Sequence, residues 1–216
     1  MLSKPTLEES ASHALKSLIL NGVLLPGTRL VEATWSKELS ISRPTVRAAF
    51  QRLTDLGLAS RSAYVGWSVA ALSIRDLREV AQLRAALEGF AAFLIAGGSV
   101  PVSSALTASL ERLAQAISSD VSPEIDAADQ AFHAALVEGC GNERIAAQHR
   151  AISDQLMLAI RAANLTGEPR AQLYQQHLEL YRQLGRNDPP AAELAFRTHC
   201  LAVLDRLPPA APVAVS

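Results

Sequence analysis

Asp129 and His133 end the stretch DQAFH, four residues apart in an alanine-rich run that reads as helix, so their side chains leave the same face. Ile125, Phe132 and Leu136 mark that face as the apolar one. A carboxylate and an imidazole thus point where a core is expected. Two more histidines repeat the pattern: His177 falls among Leu173, Leu180 and Leu184, and His199 among Phe196 and Val203. The break GRNDPP (Gly185–Pro190) separates their helices, and the midpoint of 177 and 199, position 188, lies inside it. An antiparallel hairpin would set both histidines at one height, facing each other or a shared cavity. A lone histidine on an apolar stripe is ordinarily a packed core residue; four polar groups in matched places are harder to satisfy by packing. Each left unsatisfied costs roughly 1–3 kcal/mol, and one divalent metal would satisfy all four. Imidazole nitrogens with a carboxylate suit zinc or nickel, with manganese and iron as alternatives. Four protein ligands can close a structural site, whereas a larger coordination number leaves room for water or an anion.

The elements that must position these groups follow from periodicity. From Ser73 the chain reads as long helices with short breaks. Leu77, Val80, Leu83, Leu87, Phe90 and Leu94 form one stripe, and Leu106, Leu110, Leu113 and Ile117 a second. Ile125–Val137, Ile145–Ala163, Leu173–Leu184 and Ala191–Leu204 follow, and the stretch LPPAAPVAVS reads as a mobile tail. Arg84 and Glu88, four apart, have two readings: an ion pair along the helix, or an arginine facing the cavity to bind a ligand carboxylate. His149 falls near the stripe of its helix as a packed or surface residue.

The first third has a different texture. LEESASHALKSLILNG reads as a helix with Leu7, Ala11, Ala14, Leu15 and Leu18 in phase, followed by a Pro26-Gly27 turn. A short helix, EATWSKELSI, precedes a second that Ser42 can cap, with Pro44 in its first turn and Val46, Ala49, Phe50 and Leu53 buried. β-type residues around Tyr64–Trp67 suggest a hairpin. Two short helices and a hairpin describe a winged helix-turn-helix. Ser42, Arg43, Thr45 and Arg47 occupy the start of its second helix, where arginine can grip guanine or phosphate and hydroxyls reach either. Charge agrees: residues 1–75 hold nine basic and five acidic residues, the remainder eleven and sixteen. A basic module on an acidic body suits a polyanion partner. The wing tip itself is poor in basic residues. The chain shows no apolar run long enough for a bilayer and no signal-peptide pattern. Cys140 and Cys200 form no close motif, which fits reduced thiols in a cytoplasmic protein.

The segment Leu15–Val69 closely resembles the N-terminal domain of GntR-type bacterial transcriptional regulators. The match is carried by I-x-x-G-x-x-x-P-G-x-x-L (Ile19 to Leu30), Glu32, S-R-x-x-V-R (Ser42 to Arg47), L-x-x-x-G-L (Leu53 to Leu58) and Gly66. The resemblance implies DNA contacts at Ser42, Arg43, Thr45, Arg47 and the wing glycine Gly66. The helical remainder is similar to the ligand-sensing domain of the FadR-type branch, whose metal-binding members carry Asp-x-x-x-His and two later histidines. That implies Asp129, His133, His177 and His199 as metal ligands, and Arg84 as an effector-binding residue in R-x-x-x-E. The expected fold is mainly α: a winged helix-turn-helix over residues 1–72, a bundle of six to seven helices over 73–207, and a tail over 208–216. The expected function is a cytoplasmic, homodimeric, ligand-responsive regulator on an inverted-repeat operator of double-stranded DNA. Its divalent metal, zinc or nickel, would sit beside a small organic acid. The alternatives are a metal-dependent enzyme built on the Asp/His cluster and a constitutive DNA binder with a structural metal.

Overall fold

The computed structural model describes residues 5–162 and 170–206, so the expected tail lies outside the described residues. Two compact units divide it. One runs to Val80 and takes in Ala147–Ala162; the other holds Ala81–Ala146 and the described residues from Arg170 onward.

In the first unit, α1 (Leu7–Leu20) begins with a reciprocal cap: Glu9 N–H donates to the Thr6 hydroxyl at 3.1 Å and Thr6 N–H to the Glu9 carboxylate at 2.9 Å. It buries Ala11, Ser12, Leu15 and Ile19, so the apolar stripe is turned from the expected one and Leu7 lies exposed. At the Pro26-Gly27 turn, Thr28 N–H donates to the Leu25 carbonyl at 3.0 Å, and Gly27 adopts φ +81°, which a side chain would oppose. Strand β1 (Arg29–Leu30), α2 (Glu32–Glu38) and α3 (Arg43–Asp55) follow. Ser42 caps α3, Pro44 sits in its first turn, and Val46, Ala49, Phe50 and Leu53 are its buried face. Strands β2 (Ala59–Ser62) and β3 (Gly66–Val69) form the hairpin, and the antiparallel order is β1-β3-β2. Trp67 on β3 packs against Phe50 with ring centroids 5.9 Å apart. The later part of α7 (Glu143–Ala162) also belongs here. Leu158 joins this core, Gln155 Nε2 donates to the Leu56 carbonyl at 3.1 Å, and Lys16 pairs with Asp154 at 2.5 Å. Nothing in the helical periodicity announces that partition.

The second unit contains α4 (Ile74–Ala96) from Ala81 onward, α5 (Ser104–Ser119), α6 (Ser122–Glu138), the start of α7, α8 (Arg170–Leu184), α9 (Pro189–Leu201) and a closing 3₁₀ turn (Ala202–Arg206). Leu106, Phe132, Leu136, Leu180 and Phe196 form its core, and Thr107 on α5 shares a 2.9 Å hydrogen bond with the Tyr181 hydroxyl on α8. The stripe expected for α4 holds at Leu77, which is buried, and shifts from Ala81 onward. Its buried face in this unit is Ala81, Ala85, Glu88, Ala91, Ala92 and Ile95, while Leu83 and Phe90 are exposed. The reason is close approach: a Cβ at Gly89 would lie 2.5 Å from Arg197 Cγ. Small residues let α9 come near, and the larger ones turn outward.

Candidate functional site

Helices α6, α8 and α9 bring the four sequence-predicted metal ligands together in the second unit. His177 Nε2 lies 2.9 Å from Asp129 Oδ1 and 3.1 Å from His133 Nε2, and Asp129 Oδ1 is 4.0 Å from His133 Nε2. The His199 ring stacks on His133 at 5.2 Å between centroids and meets His177 edge-on at 4.8 Å. One ring nitrogen from each of the three histidines lies within 4.8 Å of the other two. Phe132, fully buried, backs the cluster: it meets His177 edge-on at 4.9 Å and stacks with Phe196 at 6.4 Å.

Hydrogen bonds fix which nitrogen faces inward. His177 Nδ1 is 2.8 Å from the Leu173 carbonyl, which can only accept, so Nδ1 carries the proton and Nε2 looks into the cluster. His133 Nδ1 is 2.6 Å from Glu88 Oε2 and donates by the same logic. Two Nε2 atoms 3.1 Å apart beside a carboxylate need a proton or a cation between them. Three nitrogens and one oxygen form a donor set that divalent first-row ions accept.

Electrostatics divide the four groups. Burial, reinforced by the Arg84 charge, pushes His133 down to about 4. Burial and the neighbouring imidazoles hold His199 well below its ordinary value. Burial would lower His177 too, but Asp129 and the Leu173 carbonyl stabilise its proton and raise it. Burial would raise Asp129, yet the hydrogen bond from His177 and the charges of His133, His177 and Arg84 hold it below the usual carboxylate range. Both expected readings of Arg84 bear on one geometry: its Nε lies 2.5 Å from Glu88 Oε1, with the arginine side chain 14% exposed and the glutamate buried.

Sequence reasoning treated Glu88 as an ion-pair partner and Cys200 as a bland thiol. Here the Cys200 thiol donates to Glu88 Oε2 at 3.1 Å, and burial with that carboxylate pushes its ionisation up. The available signal was phase: Glu88 recurs with Ala81, Ala85 and Ala92 on the small-residue side of α4. His149 is buried in the first unit with Nδ1 3.4 Å from the Ser153 hydroxyl.

In the first unit, Ser42, Arg43, Thr45 and Arg47 stand at the start of α3. Ser42 Oγ accepts from Thr45 N–H at 3.3 Å and lies 2.8 Å from Thr45 Oγ1, so both hydroxyls serve the cap. Arg43 is exposed. Arg47 reaches Glu32 through two hydrogen bonds of 2.9 Å, and Trp67 Nε1 donates to the same carboxylate at 3.3 Å. Gly66 adopts φ +90° beside Tyr64 at φ +68°, which shapes the wing turn. Beside it, Arg29, Arg61, Tyr64 and Gly66 help line an open groove of about 590 Å³, and Arg61 sits over the Trp67 ring at 5.1 Å. These two arginines place positive charge at the wing's base although its tip has little. Strand pairing brings them there: Arg29 lies opposite Ser68 and Arg61 opposite Trp67.

Residues 7–69 match the family of bacterial regulatory proteins of the gntR family, and residues 79–202 match the FCD domain. The chain is 28% identical over 190 residues to the uncharacterized HTH-type transcriptional regulator YdhC of Bacillus subtilis (strain 168), covering 87% of this chain and 84% of that one. It is 27% identical over 203 residues to the probable D-xylose utilization operon transcriptional repressor of Paenarthrobacter nicotinovorans, covering 94% and 89%. A transcriptional regulator GntR from Rhodococcus sp. RHA1 shares the fold, with a TM-score of 0.81 at 22% identity over 92% of this chain and 95% of that one. A winged helix-turn-helix and an FCD domain in one chain place this protein in the GntR family of bacterial transcriptional regulators. It is a DNA-binding regulator rather than an enzyme. Among the described residues no helix is long and apolar enough to cross a membrane.

Proposed function

We propose that this regulator holds a divalent metal, zinc or nickel, on Asp129, His133, His177 and His199, and that a small carboxylate-bearing effector binds beside it and alters operator affinity. The observation that carries the reading is the convergence of His133 and His177 Nε2, 3.1 Å apart, with Asp129 Oδ1 2.9 Å from the latter. The metal would supply a positive centre able to accept an anionic oxygen. Arg84, beside the cluster, offers a second cation to the same anion. On the DNA side, Arg43 and Arg47 contact the operator from α3, with Ser42, Thr45 and Gly66 shaping that surface. One recognition helix spans only a few base pairs, so a cytoplasmic homodimer reads an inverted repeat.

Elemental analysis of purified protein, followed by operator titration with a panel of organic acids, tests the reading. About one metal per chain is expected, together with an acid that shifts operator affinity. Metal-free protein that cannot be reloaded, with a melting temperature indifferent to chelator, would return the four residues to ordinary core polar groups. Bound metal with no acid altering DNA affinity would leave a structural site and sink the sensing claim alone.

A further inference from the structure

We propose that Glu88 is the positioning residue of this centre: its buried carboxylate holds His133 in the orientation that can ligate and ties Arg84 to that ligand. The proposal rests on the metal reading above. Glu88 is fully buried and gathers donors from three helices. On α4, Arg84 Nε meets Oε1 at 2.5 Å. On α6, His133 Nδ1 meets Oε2 at 2.6 Å, and on α9 the Cys200 thiol reaches the same oxygen at 3.1 Å.

Glu88, His133 and Cys200 are also close enough to suggest a second ion site. The chemistry decides against it. His133 Nδ1 cannot ligate an ion and donate a proton along the same direction, and the 2.6 Å approach to Oε2 is that of a hydrogen bond. The guanidinium on Oε1 would also set a fixed positive charge against any cation there. The Glu88 carboxylate therefore serves the histidine cluster from behind, and the Cys200 thiol is only a weak donor beside it. A carboxylate on Nδ1–H keeps the imidazole from flipping about its ring axis and makes Nε2 a better donor to metal. An arginine bound through Nε keeps its terminal N–H groups for another acceptor. An organic acid on those groups would draw on the same guanidinium that steadies Glu88, so acid and metal affinities are linked, each strengthening or weakening the other by the same factor.

The test uses the full chain. Wild type and the Glu88→Gln, Cys200→Ser and His133→Ala variants are titrated with Co²⁺, read by visible absorption and by competition with a chelator. Glu88→Gln is expected to weaken Co²⁺ binding by about 10–100-fold and to change the cobalt spectrum, with helicity unchanged. Cys200→Ser, whose hydroxyl still donates, stays within about threefold. A second measurement needs no variant: ¹⁵N spectra of histidine-labelled, Zn²⁺-loaded wild type should show His133 with a protonated Nδ1 and a metal-bound Nε2. A Glu88→Gln variant that binds like wild type while His133→Ala loses affinity overturns the Glu88 role and leaves the metal reading standing. So does a His133 with no proton on Nδ1, whether or not the variant folds. Wild-type affinity in His133→Ala overturns the metal reading itself, and this proposal with it.

Discussion

Two arginine–glutamate pairs, one in each unit, invite comparison. Arg47 meets Glu32 at 2.9 Å with side chains 61% and 24% exposed, while Arg84 meets Glu88 at 2.5 Å with 14% and 0% exposed. The residue types are the same, and their surroundings give them opposite uses. The first pair is partly solvated, so on the proposed reading a phosphate or a guanine edge would take the guanidinium from Glu32 at little cost. Until then Glu32 holds the fork still and shares its carboxylate with Trp67. The second pair cannot be exchanged in that way, because separating it would strand charge in the core. It acts in place, through what else Glu88 touches.

The largest expected effect breaks the comparison at its root. Replacing Glu88 by alanine strands Arg84 and the His133 Nδ1–H, and should cost about 3–5 kcal/mol in urea unfolding of the metal-free protein. Glu32→Ala should cost about 1 kcal/mol or less. Equal costs would show that burial does not separate the two pairs. Next, metal at a hundred times its Kd should add about 2.7 kcal/mol to the wild type, read as a rise in Tm that chelator reverses. His177→Ala should show no such response. Third, Arg43→Ala and Arg47→Ala should each weaken operator binding by about 1–3 kcal/mol, measured by fluorescence anisotropy, with Tm preserved. Operator affinity unchanged in both would remove α3 as the reading element.

The smallest effect is one of pH. Buried His133, pushed down to about 4, and His199, well below its ordinary value, bind protons less readily than in the unfolded chain near 6.5. Their contribution is complete above 6.5 and is lost as pH falls toward 4. His177, raised by Asp129 despite burial, runs the other way and loses its contribution as pH rises through its own value. With two groups against one, the metal-free protein should lose stability on acidification over this window. Glu32, lowered chiefly by its hydrogen bond from Arg47, contributes above 4.5 and weakens only below it. Hydrogen exchange between pH 6.5 and 4.5 should therefore rise first in the helical unit. Equal loss in both units would contradict the contrast.

What was legible in the sequence divides along similar physical lines. The α3 face was readable because large apolar residues alternate with arginines, so the period has one interpretation. The α4 face from Ala81 onward departs from the expected stripe, because Leu83 and Phe90 face out and its alanines face in. Only the neighbour that fills the shallow side, Arg197 against Gly89, decides between them. The histidine cluster could be read because each member broke an apolar stripe. Phase alone put Glu88 on the side of the alanines, but its partners on α6 and α9 are not contained in the linear pattern. Arg61 gains its place from its partner across the sheet, a register the linear pattern does not contain.

The α8–α9 hairpin carries a consequence for descent. His177 and His199 face one another across the turn between Leu184 and Pro189, where Asn187 adopts φ +56° and Asp188 caps α9 through Ala191 N–H at 3.2 Å. A residue gained or lost inside either helix, between its histidine and the turn, would swing that histidine by about 100° and carry it off the shared face. The same change within the turn leaves both faces where they are. Lineages that keep the cluster should therefore vary in length at Gly185–Asp188 and hold the helical spans on either side at constant length.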